Sequence, residues 1–250
     1  MHAHNASSQL FPKIGFGPTV RASGYLVIGC TIVGLCLMRT EYPPKRKDQV
    51  PSDIKSFFSD ARYMIFMLGA LVAQFGVFFP ASYIQLYSIQ HHVDQNISFY
   101  SIAIVNGSSI LGRIIGCHFA DVYGPLNIQV CFTLATGASI WAVLKIHDTG
   151  SLVAISIFYG ITSGAWWPLT YNSLASLAQD TSEVGARVGL ALALSSFGTL
   201  GAPPVQGSLL NETYEWIRPV VFSATMTIGG AFFILIARTL QAKKLNKQRV

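Results

Sequence analysis

The chain has 250 residues, 51% hydrophobic and only 11% charged, with a mean hydropathy of +0.46 and a net charge of +6. Soluble domains carry about 25% charged residues, so this composition excludes an ordinary soluble enzyme and fits a chain whose main solvent is lipid. The basic residues gather in Arg39–Lys55 and Lys243–Arg249 at the flanks of apolar runs, not along an exposed face, which excludes a nucleic-acid surface and suits a membrane protein.

Met1–Thr19 holds no apolar run of signal-peptide type, so no cleaved leader is expected. Runs of about 20 apolar residues, enough to cross a bilayer, then predict seven spans over 20–38, 63–88, 98–118, 126–145, 151–178, 188–209 and 217–238. The fold class is therefore an all-α polytopic membrane protein. Arg39–Asp60 (RTEYPPKRKDQVPSDIKSFFSD), with three prolines and many charges, cannot continue a membrane helix. Short polar turns such as HDTG and LNETYEW make successive spans antiparallel. Of the 17 Lys and Arg, 13 fall on the side holding Arg39–Arg62, Arg113, Arg187 and Arg238–Arg249, which is predicted to be cytoplasmic with the C-terminus inside. The sequons at Asn5, Asn96 and Asn211 fall on the predicted outer side and are candidate glycosylation sites. The cysteines, Cys30, Cys36, Cys117 and Cys131, have no metal-ligand spacing and are expected as buried inert thiols.

No Asp or Glu lies inside a predicted span, and there is no nucleophile–His–acid set and no phosphate-cradling loop. A non-enzyme with no cofactor and no metal is expected. Arg113 is the exceptional charge, in the third span; facing lipid it would cost roughly 2.5–3.5 kcal/mol on insertion scales. Asn106, seven positions earlier, falls about 20° away on a helix of 3.6 residues per turn, with Ser109 and Ile110 between them. That polar stripe fits a cavity lining; the alternative is a side chain snorkelling to the cytoplasmic surface. Further candidates for a substrate path are Gln74 and Tyr83 in the second span, and Trp167 and Asn172 in the fifth, where bulk packing around Pro168 is the plainer role. The sixth span is rich in Gly and Ala and carries Pro203 and Pro204, which fits either tight packing or a helix that bends in use.

GRIIGCHFADVYGPLN (112–127) resembles the loop between the eighth and ninth helices of the major facilitator superfamily, in its fungal monocarboxylate-transporter-like branch. FGVFFPASYIQLYS (75–88) is similar to that branch's seventh helix, GARVGLALALSSFGTLGAPPVQGSLL (185–210) to its eleventh, and FPKIGFGPTVR (11–21) to the stretch leading into its sixth. The resemblance implies a partial fold: an extracytoplasmic stretch (1–19), a helix resembling the sixth (20–38), a basic cytoplasmic linker (39–62), a C-terminal six-helix half (63–238) and a basic tail (239–250). It also implies a missing N-terminal half, since the family's members have 12 helices and carry solutes through a cavity between two halves.

By the same resemblance, Arg113, Asp121, Gly124 and Arg187 are candidates for a gating loop, with Arg113 and Asp121 able to pair. Where animal relatives carry an Asp four residues before their Arg, this chain has Ser109, which puts a co-transported proton in doubt. The function implied is secondary-active transport of a small organic solute across a lipid bilayer, the plasma membrane first, with a monocarboxylate or other organic anion as substrate. Export of a fungal secondary metabolite or carriage of a vitamin is the alternative. A seven-span receptor and a transport-incompetent truncated product are readings of another class.

Overall fold

The computed structural model describes residues 16–38, 54–91, 93–178, 180, 182–210 and 215–246. Two compact units divide the chain near Pro51. The first contributes one described helix, α1 (Phe16–Leu37), whose Thr31 hydroxyl donates to the Val27 carbonyl of the preceding turn.

The second unit begins with the short α2 (Ile54–Ser59) and holds six membrane-length spans. The first of these is broken into α3 (Ala61–Val77) and α4 (Phe79–Gln90). Pro80 in the first turn of α4 has no N–H to donate back, so the ladder fails at Phe78. Neighbouring helices occupy the break: Tyr159 Oη donates to the Val77 carbonyl at 2.7 Å, and Gln206 Nε2 to the Phe75 carbonyl at 2.7 Å. The remaining spans are α5 (Gln95–Tyr123), α6 (Pro125–Ala142, extended by a 3₁₀ turn, Val143–Lys145), α7 (Thr149–Leu177), α8 (Val184–Leu210) and α9 (Ile217–Leu245). With α1, seven described helices are long and apolar enough to cross a membrane, as the composition predicts.

Local signals fix the ends. Asp94 accepts the Asn96 and Ile97 N–H groups to cap α5, and Asp148 with Ser151 forms a capping box on α7. At the far end of α9, Lys243 and Lys244 lie in the last turn and Asn246 adopts the left-handed conformation. The α5–α6 link is a single residue, Gly124, at φ 96°, followed by Pro125 at the start of α6. Only glycine enters that conformation without a steric penalty, and proline suits the first turn of the next helix. The stretch 112–127 that resembles a loop is therefore mostly helix, and Asp121 belongs to the last turn of α5 rather than to a connection.

Helices in lipid lack a hydrophobic drive toward one another, so small residues that allow close approach take its place. Two seams are built this way. Between α5 and α7, a Cβ on Gly164 would lie 2.5 Å from the Ser109 carbonyl, and one on Gly112 would fall on the Ile161 carbonyl. Between α3 and α9, a Cβ on Gly230 would lie 2.5 Å from the Gly69 carbonyl. Apolar clusters close the two ends of the bundle, one around Phe57, Tyr63, Leu126, Leu177 and Ile234, the other around Phe79, Tyr87, Ile140 and Trp216. The cysteines follow a different rule from the one expected: Cys30, Cys36 and Cys131 are free and exposed on helix surfaces and Cys117 is half-buried. An apolar sequence does not distinguish a side facing lipid from one facing the bundle.

Candidate functional site

At the end of the bundle where α3 and α8 begin, four charged side chains meet. Arg187 is almost completely buried, 2% exposed. Its Nη1 lies 3.2 Å from Asp60 Oδ2 and its Nε 3.2 Å from Glu183 Oε2, while the guanidinium carbon stands 4.8 Å from the Phe57 ring centre and 5.1 Å from that of Tyr63. Tyr63 Oη donates to the Arg187 carbonyl at 2.7 Å. Asp60 also takes Arg62 Nε and Nη2, each at 3.0 Å, and accepts the Arg62 N–H as the N-cap of α3. Arg62 reaches on to Gln241 of α9, which donates to the Ser176 carbonyl of α7. Two carboxylates and two guanidiniums balance, so the network is neutral and ties α3, α7, α8 and α9 together. Burial alone raises the Asp60 carboxyl pKa, but the hydrogen bonds and charges of Arg187 and Arg62 outweigh it and hold the group below its ordinary 3.8.

One turn further into the bundle lies a small cleft between α3, α7 and α8. Phe66, Trp166, Trp167 and Tyr171 form its aromatic walls, and Ala70, Ala191 and Ser195 complete the opposing sides. Helical spacing explains the assembly. Arg187, Ala191, Ser195 and Thr199 recur every four residues along α8, as Phe66, Ala70 and Gln74 do along α3, so each series shares one face. Arg187 thus lies one turn from the cleft's Ala191 along α8, outside the lining itself. The Gln74 amide, which donates to Thr199 Oγ1 at 2.7 Å, lies one turn beyond its other end. Trp167 stands 6.0 Å from the Phe78 ring and 5.8 Å from Tyr171, and meets Trp166 edge-on at 5.3 Å.

The predicted site residues separate. Trp167 lines the cleft, while Gln74 and Arg187 each lie one helical turn from lining residues and outside the lining. Asn172 is exposed on α7 and does not line it. Tyr83 belongs to the opposite end, where its hydroxyl donates to the Pro203 carbonyl at 2.9 Å. Ser109 departs from the stripe expected of it: it is buried against Gly164 in the α5–α7 seam, its hydroxyl donating to the Asn106 carbonyl at 2.7 Å. Asn106 is half-buried and Arg113 is exposed, and Arg113 makes no hydrogen bond or ion pair among the described residues. Arg113 and Asp121 sit on one helix eight residues apart, about 12 Å of rise, and no ion pair joins them. Asn96 is exposed in the first turn of α5, whereas Asn5 and Asn211 fall outside the described residues.

Asp60, Arg62, Glu183 and Gln241 escaped the sequence reading. Asp60 and Arg62 read as members of a basic linker, and nothing local in the sequence ties them to a residue 127 positions away.

Several fungal proteins are similar to this chain. The Aspyridones efflux protein apdF of Emericella nidulans is 28% identical over 92% of the chain and 47% of its own length. The MFS-type transporter pynF of Aspergillus niger is 29% identical over 94% and 55%, and the Fujikurins efflux protein of Gibberella fujikuroi 26% identical over 95% and 51%. The chain spans about half the length of these relatives. Their names speak of transport and efflux and give no support to a monocarboxylate substrate. The Major Facilitator Superfamily model matches residues 107–249. A match over more than half the chain, on a bundle of this helix order, places this multi-pass membrane protein in the Major Facilitator Superfamily.

Proposed function

We propose that the chain is the carboxy-terminal half of a secondary transporter that exports a small fungal secondary metabolite. In this reading it works by alternating access against an amino-terminal half, in the plasma membrane, with its C-terminus in the cytoplasm. The observation that carries the proposal is the cleft between α3, α7 and α8, an aromatic recess on a chain whose relatives include proteins named for efflux. The concentration of Lys and Arg at one end supports the orientation. Asn106 is half-buried and Arg113 exposed on α5, and we assign them to the surface that meets the other half. Arg187 is assigned to holding α3, α8 and α9 together as a block that moves as one, not to binding substrate. No carboxylate sits within a described span apart from Asp121 in the last turn of α5. Proton coupling through this half would therefore run through a helix end.

The test is efflux from fungal cells expressing the 250-residue chain alone, or together with the amino-terminal half of a full-length relative. Transport only by the pair supports the proposal. Saturable transport by the chain alone overturns the need for a second half. No transport by a pair shown to reach the membrane overturns the transporter reading.

A further inference from the structure

Arg62, Arg187 and Arg238 each reach across to another segment, to Gln241, Asp60 and Asn127 respectively. Arg113 is exposed and meets no such partner among the described residues. Its depth makes this unusual. The apolar run 98–118 has its midpoint at residue 108, so Arg113 stands five residues from it, about 7.5 Å. Half of the bilayer's hydrocarbon core is about 15 Å. The nearer end of α5 is its C-terminal one, ten residues on. Helical Cα–Cβ bonds tilt toward the N-terminus, so the side chain sets out away from that surface and toward the middle of the membrane.

Gly107 supplies an independent observation. At Gly112, Gly116, Gly160 and Gly164, in the α5–α7 seam, an added Cβ would collide with the facing helix. Gly107 lies in the same helix with nothing within 4 Å of such a Cβ. Glycine inside a helix lowers its stability relative to alanine, a loss offset where a second backbone comes close. Going round α5 from the edge of the seam, Arg113 comes first, then Asn106, Ile110, Ile114 and Gly107, an arc of about 120°. Ile110 and Ile114 are 54% and 64% exposed. The half-buried Asn106 amide makes no hydrogen bond among the described residues.

We infer that this arc of α5 docks on a membrane helix of the amino-terminal half, and that this helix offers Arg113 a carboxylate. The inference deepens the transporter reading and rests on it. Covering Ile110 and Ile114 takes water from Arg113, and a desolvated guanidinium needs an opposite charge in good geometry, which a carboxylate gives with two parallel hydrogen bonds. Among the described residues none supplies it: Asp121 is eight residues along the same helix, about 12 Å of rise, and Asp60 and Glu183 are engaged by Arg187. Asn106, two turns before Arg113, gives the docking helix a second polar contact that fixes its register.

The test pairs the 250-residue chain with the amino-terminal half of a full-length relative that keeps Arg at the position of Arg113. Pairing is read by titrating that half against the tagged chain in detergent, and export in cells expressing both. Arg113→Glu should weaken pairing at least tenfold, because like charges then face each other. On that background, each Asp or Glu in the spans of the amino-terminal half is changed to Arg in turn, and one of these changes should restore pairing. Gly107→Leu should weaken pairing at least tenfold while the chain by itself stays helical and monodisperse. Unchanged pairing by Arg113→Glu would overturn the inference. Retained export would then place Arg113 among headgroups, and lost export would place it against a carboxylate on the cargo. Weakened pairing that no exchange restores would overturn the carboxylate partner. Failure of the unaltered halves to pair or export, with both in the membrane, would overturn the transporter reading and this inference with it.

Discussion

Replacing Arg187 by Met keeps most of the side-chain volume and removes the charge on which four helices converge. The cost can be built from its partners. The charge-assisted hydrogen bond to Asp60 is worth about 1.5–3 kcal/mol. The Glu183 pair counts for only about 0.3–0.5 kcal/mol, because that carboxylate is 23% exposed and the pair is an i,i+4 helix contact. The faces of Phe57 and Tyr63, at 4.8 and 5.1 Å, add about 1 kcal/mol. The total is about 3–4.5 kcal/mol, within the range found when one partner of a buried pair is removed. At about 2–4 °C per kcal/mol for a domain of this size, 3 kcal/mol lowers Tm by roughly 6–12 °C. Arg187→Met, Asp60→Asn and the double variant should be compared by thermal unfolding in nanodiscs. The double variant should cost less than the sum of the two, by about 1.5–3 kcal/mol. A coupling below about 0.5 kcal/mol, the ordinary error of additivity, would refute the claim that the two charges act as a buried unit.

Stability should also fall in acid. The Asp60 carboxyl is held below its ordinary value of 3.8, so its contribution is complete above about pH 4 and is lost as pH drops through the lowered value. Asp60→Asn should flatten that part of the profile, and an unchanged acid limb would contradict the assignment. Gly160→Leu should prevent the α5–α7 seam from closing, since even a Cβ there falls on Ser108. The expected readout is loss of monodisperse protein in detergent, whereas Gly107→Leu, with open space around it, should behave normally. Ser109→Asp should destabilise the bundle by more than about 2 kcal/mol, because it places a carboxylate in a packed seam facing Gly164. Normal stability with gained proton coupling would show instead that position 109 faces an aqueous cavity.

The sequence by itself determined the class, the number of spans and most of the breaks between them. Hydropathy over 20 residues and charge clusters act locally, and each can be read without knowing its neighbours in space, whereas the break at Phe78 falls inside the run read as one span over 63–88. The family resemblance rested on the same kind of short, ordered motif. The tertiary structure decided which side of each helix faces what. Asn106, Ser109 and Arg113 lie within one arc on a helical wheel, yet α7 covers Ser109 and leaves Arg113 outside, because the seam follows small residues at Gly112, Gly116 and Gly164. Helix ends also escaped hydropathy: α5 and α9 run five and seven residues past their apolar runs, since capped polar turns continue a helix that a lipid scale has stopped scoring. The Arg187 network and the aromatic cleft belong to that second category. Asp60 and Arg187 are 127 residues apart, and only the packing of α3 against α8 makes one buried ion pair of them and sets the recess above it.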